Sequence, residues 1–360
     1  MKYICYMQTC ANFGGKMVTI KDIAKIAGVS HSTVSRSLND SSEISAKTKE
    51  RIKRLAEELG FEFNNNARSL STKKTGTIGV IFDKGFDDEN ASFFFGRLLK
   101  EIRYSLEKAS FDIILDFRAN PFNGKNNIKK LINGNKIDGF IIADEYIEEE
   151  DLKFIKEKNV PTVFVHNRPQ YQKKYKLDYV LTDHFKGGYM ATEHLIEQGH
   201  KEIITFTHKI YKKEYSEFEE RTKGFIKAMK DNGYKASEKQ IYRDEISFEY
   251  GRKKIKELVG LGKKFTGVYA QTDLLALGII RGLKESGLKV PEDVSIIGYD
   301  NIEFGKFSEP ELSTINQPTG KLAEEAVKLL IEKLGINYAT IEKNIIIEPD
   351  LVIRNSTKKI

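Results

Sequence analysis

Cysteine is nearly absent from this 360-residue chain: Cys5 and Cys10 are the only two, and both precede the region that reads as folded. Neither a disulfide framework nor a structural zinc site can be built from them. No apolar run approaches the ~18 residues of a membrane-spanning helix. Phosphate-binding signatures are missing too. There is no G-x-x-x-x-G-K-[ST], and no G-x-G-x-x-G opens a helix; Gly260-Leu261-Gly262-Lys263 leads from a helix into a strand, the reverse of the required order. The six histidines show no metal-ligand spacing, since a turn at Gly199 separates His194 from His200. With no cysteine nucleophile in the body, an enzyme is not expected, nor is a metal or cofactor. Residues 1–16 have neither the apolar core nor the small-residue cleavage site of an export signal, so a cytoplasmic protein is expected. Gly14-Gly15-Lys16 is what a purine-rich ribosome-binding sequence would encode if translated. We therefore expect Met17 to be the true start, with 1–16 outside the fold. Intact mass of the native protein checks this, and a species beginning at Met1 refutes it.

What the chain does have is concentrated at residues 19–39. Thr19 followed by Asp22 approximates a capping box, so a helix is expected from about Ile20. Ile20, Ile23, Ala24 and Ala27 recur at i, i+3, i+4, i+7, one apolar stripe. Gly28 ends that helix where a left-handed residue costs least. Ser30 suits the N-cap of a second helix with Val34 and Leu38 inward. His31, Ser32, Thr33, Ser35 and Arg36 then face outward. A third helix is capped by Ser45, lined by Ile52, Leu55, Ala56 and Leu59, and ended by Gly60. Two short helices folded on each other, with small polar side chains and an arginine on the second, form the arrangement that enters a DNA major groove.

A plain three-helix bundle with a solvated face fits the same stripe, so charge has to be weighed. Residues 17–76 hold eleven basic and seven acidic side chains, +4 of the chain's +7, whereas 77–360 contribute +1. Positive charge lies where phosphate contacts would be needed. Lys21, Lys47, Arg51 and Lys73 are the candidates for them. Asn64–Thr75 is a polar connector, yet Ala67-Arg68-Ser69-Leu70 can form one helical turn with an exposed leucine, as a minor-groove wedge would.

From Thr77 onward strands and helices alternate. Runs at Thr77–Phe82, Asp112–Phe117, Gly139–Ala143, Pro161–Val165 and Tyr179–Thr182 predict one set of strands, with a first helix from about Phe93 to Ala109. Glu202–Thr207, Gly267–Ala270 and Val294–Tyr299 predict a second set. These are too many for one small sheet. The expected fold is α/β: an all-α headpiece followed by two doubly wound parallel-sheet subdomains. Ligands of such sheets bind beyond the carboxyl ends of the strands, here in the cleft between the two. The polar residues there are Asp83, His166, Asn167, Asp183, Arg221, Thr272, Asp273 and Asp300, while Phe93, Phe94 and Phe95 could offer an apolar face to a sugar ring. Asp183 and Asp273 fit helix N-caps equally well, and His166 fits a satisfied loop residue.

Asp22-Ile23-Ala24, Ala27-Gly28-Val29-Ser30, Thr33-Val34-Ser35-Arg36, Leu38-Asn39 and Ala67-Arg68-Ser69-Leu70 form one series of motifs. Thr182-Asp183, Gly187-Gly188, Ala191-Thr192-Glu193-His194-Leu195, Arg221-Thr222-Lys223-Gly224-Phe225, Thr272-Asp273-Leu274-Leu275-Ala276-Leu277-Gly278, Ile296–Asn301, Gln317-Pro318 and Leu351–Thr357 continue it. In this order, over nearly all of 17–357, they resemble the lactose/galactose-repressor (LacI-type) family of bacterial transcriptional regulators.

The organisation expected is a headpiece at 17–63, a hinge at 64–76, and two periplasmic-binding-protein-like subdomains. The N-terminal one comprises 77–181 plus about 318–347, and the C-terminal one 182–317 plus about 348–360. The resemblance implies a homodimer, with a tetramer left open, bound to a pseudo-palindromic operator in double-stranded DNA. Thr19, His31, Ser32, Thr33, Ser35, Arg36, Asn39, Arg68 and Leu70 would contact DNA, Arg36 being suited to bidentate contact with guanine. It also implies an effector held by Arg221 and Asp300, both suited to adjacent hydroxyls. Thr272 stands where many relatives have asparagine, which puts the hydrogen bonds of that position in question. A mono- or disaccharide is the effector expected, a phosphorylated sugar or nucleobase being the alternatives, and its sign of action is open. A sugar-binding protein of a transport system would share the two-lobed body, but would need an export signal and have no use for 17–74.

Overall fold

The computed structural model describes residues 18–38, 41–61, 74–82, 89–120, 122–144, 147–209, 216–335 and 343–360. Asn39, Arg68, Leu70, Lys73 and Asp83, like residues 1–16, lie outside these. The chain divides into two compact units, one up to Lys74 and one from Thr75.

The first unit holds α1 (Ile20–Ala27), α2 (His31–Leu38) and α3 (Ala46–Glu58). Each start is set by a local side chain. Thr19 accepts from the Asp22 amide at 3.4 Å while Asp22 accepts from the Thr19 amide at 2.9 Å, a reciprocal box that also lowers the Asp22 pKa. Ser30 accepts from the Thr33 amide at 3.0 Å and Ser45 from that of Thr48 at 3.3 Å. Gly28, at φ 64°, ends α1. Ile23, Ala24, Val34, Ile52, Leu55 and Ala56 form the core, with Leu38 packed at its edge. Ser37 is buried as well, one helical turn on from Val34.

The second unit begins with β1 (Thr77–Phe82), α4 (Glu89–Lys108), β2 (Asp112–Phe117), α5 (Asn127–Asn133), β3 (Gly139–Ala143), α6 (Glu149–Glu157), β4 (Thr162–Val165), α7 (Gln172–Tyr175) and β5 (Asp178–Thr182). It goes on through α8 (His184–Glu197), β6 (Ile203–His208), α9 (Glu217–Asp231), β7 (Ile241–Asp244), α10 (Phe248–Gly260), β8 (Gly267–Ala270), α11 (Asp273–Glu285), β9 (Ser295–Tyr299), α12 (Phe304–Phe307) and β10 (Ser313–Asn316). Then α13 (Thr319–Gly335) and β11 (Asn344–Ile347) return to the first sheet, and β12 (Asp350–Val352) to the second.

The strand orders are β11-β5-β4-β3-β1-β2 and β12-β10-β9-β8-β6-β7. Every pair is parallel except β10 with β12, so the second sheet carries one antiparallel edge that the sequence does not predict. Each sheet is covered by apolar side chains on both faces, as parallel sheets require. The two sheets with their helices form a first and a second lobe. In the second, α8 and α9 approach backbone to backbone: a Cβ on Gly188 would strike the Arg221 carbonyl, and one on Gly224 that of Phe185. That closeness fixes where Arg221 emerges. The last residues are stitched into the same lobe, Ser356 accepting from the Ser313 amide at 2.8 Å and donating to the Ile296 carbonyl at 2.6 Å.

Candidate DNA interface and effector site

On α2, His31, Ser32 and Arg36 are exposed, and Thr33 and Ser35 partly so. Thr33 and Thr19 also hold helix ends, the Thr33 hydroxyl lying 2.8 Å from that of Ser30 and the Thr19 hydroxyl donating to Asp22 at 2.6 Å. Arg36 pairs with Glu43 at 3.0 Å, both side chains being more than half exposed. Such a pair is worth ~0–1 kcal/mol, little resistance to a stronger acceptor. Arg36→Ala should cost about 1–3 kcal/mol against the best duplex and relax one base position; a selected-site motif that does not change would remove Arg36 from the readout. Lys21 and Lys47 are exposed. Arg51, expected on phosphate, donates to the Ala27 carbonyl at 2.8 Å and closes the C-terminal end of α1, where a cation is favoured.

The polar groups of the second unit converge where the lobes meet. Close helix packing delivers Arg221, fully buried, onto the face of Tyr299 at 3.7 Å. Its guanidinium donates to the Gln271 carbonyl at 2.5 Å and to His184 Nδ1 at 3.4 Å, and stands 4.0 Å from Asp300 Oδ1. Asp300 follows β9 in a left-handed conformation, φ 107°. Its Oδ1 accepts from Gln317 at 2.7 Å, and Gln317 accepts from Thr182 at 3.1 Å. Burial raises the Asp300 pKa against the pull of Arg221 and Gln317. His166, also left-handed and buried, packs against Phe94 at 4.5 Å and His184 at 5.8 Å. Next to it, Asn167 is buried, and neither atom of its amide has a hydrogen-bond partner among the described residues. Buried amides are ordinarily paired, so this one is available to a bound polar molecule. A carboxylate, a guanidinium and an amide together suit a ligand rich in hydroxyls.

Two family models match, bacterial regulatory proteins of the lacI family over residues 19–64 and a periplasmic binding protein-like domain over 192–357. The HTH-type transcriptional repressor PurR of Actinobacillus pleuropneumoniae serotype 3 (strain JL03) is 31% identical over 345 residues, 96% of this chain and 99% of that protein. The chain belongs to the lacI family of bacterial regulatory proteins. Among solved structures, the lac repressor dimer bound to operator and the anti-inducer ONPF has a TM-score of 0.75 at 25% identity, covering 95% of this chain and 100% of that one. A complex of the transcriptional regulator CelR with cellobiose has a TM-score of 0.68 at 26% identity, covering 94% and 99%.

In this LacI-family chain the expected effector residues divide. Arg221 stands 4.0 Å from Asp300, and His184 links Arg221 across the lobe boundary to His166, the neighbour of Asn167 in the chain. Asp273 does not join them: it is wholly buried, accepting from the Ile302 amide at 2.8 Å and the Thr314 hydroxyl at 2.5 Å, and that burial raises its pKa strongly. Thr272 caps α11, accepting from the Leu275 amide at 3.3 Å, and Asp183 caps α8, accepting from that of Lys186 at 2.8 Å. Phe94 and Phe95 belong to the first lobe's core, with His166 packed against both rings. Phe93 is the exposed ring, meeting Phe304 of the second lobe at 4.9 Å. Sequence reasoning missed Arg97, His184 and Gln271. The one available signal was a lone arginine inside the otherwise uncharged stretch Phe93–Leu99.

His184 carries a pH signature. Burial and the Arg221 charge hold its pKa well below 6.5. The unfolded chain therefore takes up a proton near pH 6.5 that the folded chain refuses. The stability this imidazole allows is complete above 6.5 and falls as pH drops below it. In His184→Asn the loss of thermal stability between pH 6.5 and 5 should be shallower than in the parent; equal slopes would show that His184 titrates normally.

Proposed function

We propose that this LacI-family regulator is a repressor that binds a pseudo-palindromic operator as a homodimer, under the control of a sugar held between its lobes. Residues 17–63 act as the DNA-binding headpiece and 64–76 as the hinge. The helix from His31 to Leu38 enters the major groove, Arg36 reading guanine with Asn39 near the helix end, while Arg68 and the Leu70 wedge act from the hinge in the minor groove. Lys21 and Lys47 neutralise phosphate. The observation carrying the effector reading is the buried Arg221–Asp300 pair at the lobe boundary, with the unpartnered amide of Asn167 buried beside His166. CelR with cellobiose, a structural relative, supports a sugar as the ligand class. The protein performs no catalysis in this scheme and works in the cytoplasm. A headpiece has no role in a transport binding protein, which disfavours that alternative.

The test is selection from a random duplex library with and without a panel of mono- and disaccharides, cellobiose and ribose among them. An inverted repeat should be enriched, and one sugar should change its affinity by about 5–150-fold. No preference for any inverted repeat, with or without sugars, would overturn the proposal. Whether the sugar weakens or strengthens binding reads out inducer against co-repressor.

A further inference from the structure

Arg97 lies on α4, in the first lobe, yet its partners lie in and beside the second. Nη1 donates to the Asn301 carbonyl at 2.7 Å, and Nη2 to those of Asp300 and Gln317, each at 3.0 Å. One turn earlier on the same face of α4, Phe93 meets the Phe304 ring of the second lobe. The arginine's targets are unusual backbone. Asp300 and Asn301 are consecutive left-handed residues, φ 107° and 54°, and the first lies well outside the region that side-chain-bearing residues favour. A turn of this kind persists only when its surroundings hold it.

Its own lobe holds one side. The Ile302 amide donates to Asp273, the Asn301 amide to Thr314 Oγ1 at 3.3 Å, and Arg354 donates to Asn301 Oδ1 at 2.6 Å. The Asp300 and Asn301 carbonyls on the other side are held by Arg97 alone among the described residues, across the lobe boundary, whereas the Gln317 carbonyl also takes the Thr319 amide. Carbonyl oxygens aimed together at one point repel each other, and a guanidinium, with donors in a rigid fork, is the group that reconciles them.

We propose that Arg97 is a strut that keeps the Asp300–Asn301 turn in its left-handed form only while the lobes stand at this spacing. The aim of the Asp300 carboxylate and the separation of the lobes then change together. A ligand gripped by Asp300 favours the spacing at which Arg97 is seated, and a lobe movement that unseats Arg97 releases the carboxylate from its aim. Arg97 is thus a positioning residue with no ligand contact of its own. This rests on the reading of Asp300 as an effector contact, but the strut can be tested without any sugar.

The full chain carrying Cys5→Ser and Cys10→Ser takes one spin label on each lobe, through Lys153→Cys on α6 and Lys253→Cys on α10, both well exposed. Mixed with an excess of unlabelled chain, so that a dimer carries at most one labelled protomer, the parent should give one narrow interlobe distance by double electron–electron resonance, and Arg97→Met a distribution shifted or broadened by several ångströms, on the order of a small hinge opening. Hydrogen exchange at the Asn301 and Ile302 amides should quicken about tenfold or more as the turn is freed. The Ile296–Gly298 amides inside β9 serve as the internal control and should stay protected, which separates a freed turn from general loss of stability. Arg97→Lys, which keeps the charge and part of the donor set, should fall between the two, and it stands in if the methionine variant does not fold. Unchanged distance and protection in the variants overturn the strut, and a distance that moves while the turn stays protected overturns the coupling. A failed sugar screen touches neither readout.

Discussion

Arg221→Met should lower the thermal midpoint of the protein by roughly 10 °C. Methionine keeps most of the buried stem, so the loss comes from the guanidinium rather than from a cavity. Removing one partner of a buried charge pair costs about 3–5 kcal/mol, because the other charge is left without compensation. A change of 1 kcal/mol moves the midpoint of a domain near this size by roughly 2–4 °C. The Gln271 carbonyl loses its Arg221 donor at the same time, and His184 Nδ1 is left with the Tyr299 hydroxyl. Adding Asp300→Asn should return part of the loss, since the orphaned carboxylate is then gone. A midpoint within a degree or two of the parent would mean that the pair at 4.0 Å contributes nothing, and the site would need another organising contact.

Asp300→Asn alone should abolish the sugar response. Asparagine tolerates a left-handed conformation better than most residues, so the turn after β9 is preserved. What disappears is a charged acceptor. Hydrogen bonds to charged groups are worth about 1.5–3 kcal/mol each, so losing two hydroxyl contacts weakens binding by a factor on the order of 100 or more. Calorimetry with the sugar found by the screen measures this directly. The ratio of operator affinities with and without that sugar should fall to one. If the ratio is retained, Asp300 is not the reader of the effector.

Local chemistry was legible in the sequence, and long-range chemistry was not. Thr19 with Asp22, Ser30 and Ser45 all cap helices, because a cap and its amide lie three residues apart. Strands such as β3 announce themselves because both faces are buried. β10 does not: Ser313 and Thr314 are buried polar residues whose hydroxyls are satisfied by the Arg354 amide and by Asp273, roughly 40 positions away. β7 and β12 are sheet edges with exposed positions, so no apolar run marks them, and the run in β11 is only the three residues Ile345–Ile347. Arg221 and Asp300 are legible from strand ends and from the family likeness, and the structure brings them within 4.0 Å. Thr272 caps α11 and its neighbour Asp273 turns inward, a division that spacing alone does not reveal. Arg97 reaches carbonyls about 200 residues away, and backbone acceptors leave no trace in side-chain patterns.

The return of α13 and β11 to the first sheet has a consequence for how the protein is made. The first lobe lacks a covering helix and an edge strand until all of β6 to β10 has left the ribosome. The second lobe in turn awaits β12 and Ser356. Neither half can therefore close ahead of the other during translation, as beads on a string would. Nascent chains of this regulator expose unfinished sheets until β11, β12 and Ser356 have emerged, and the two lobes reach their final form together.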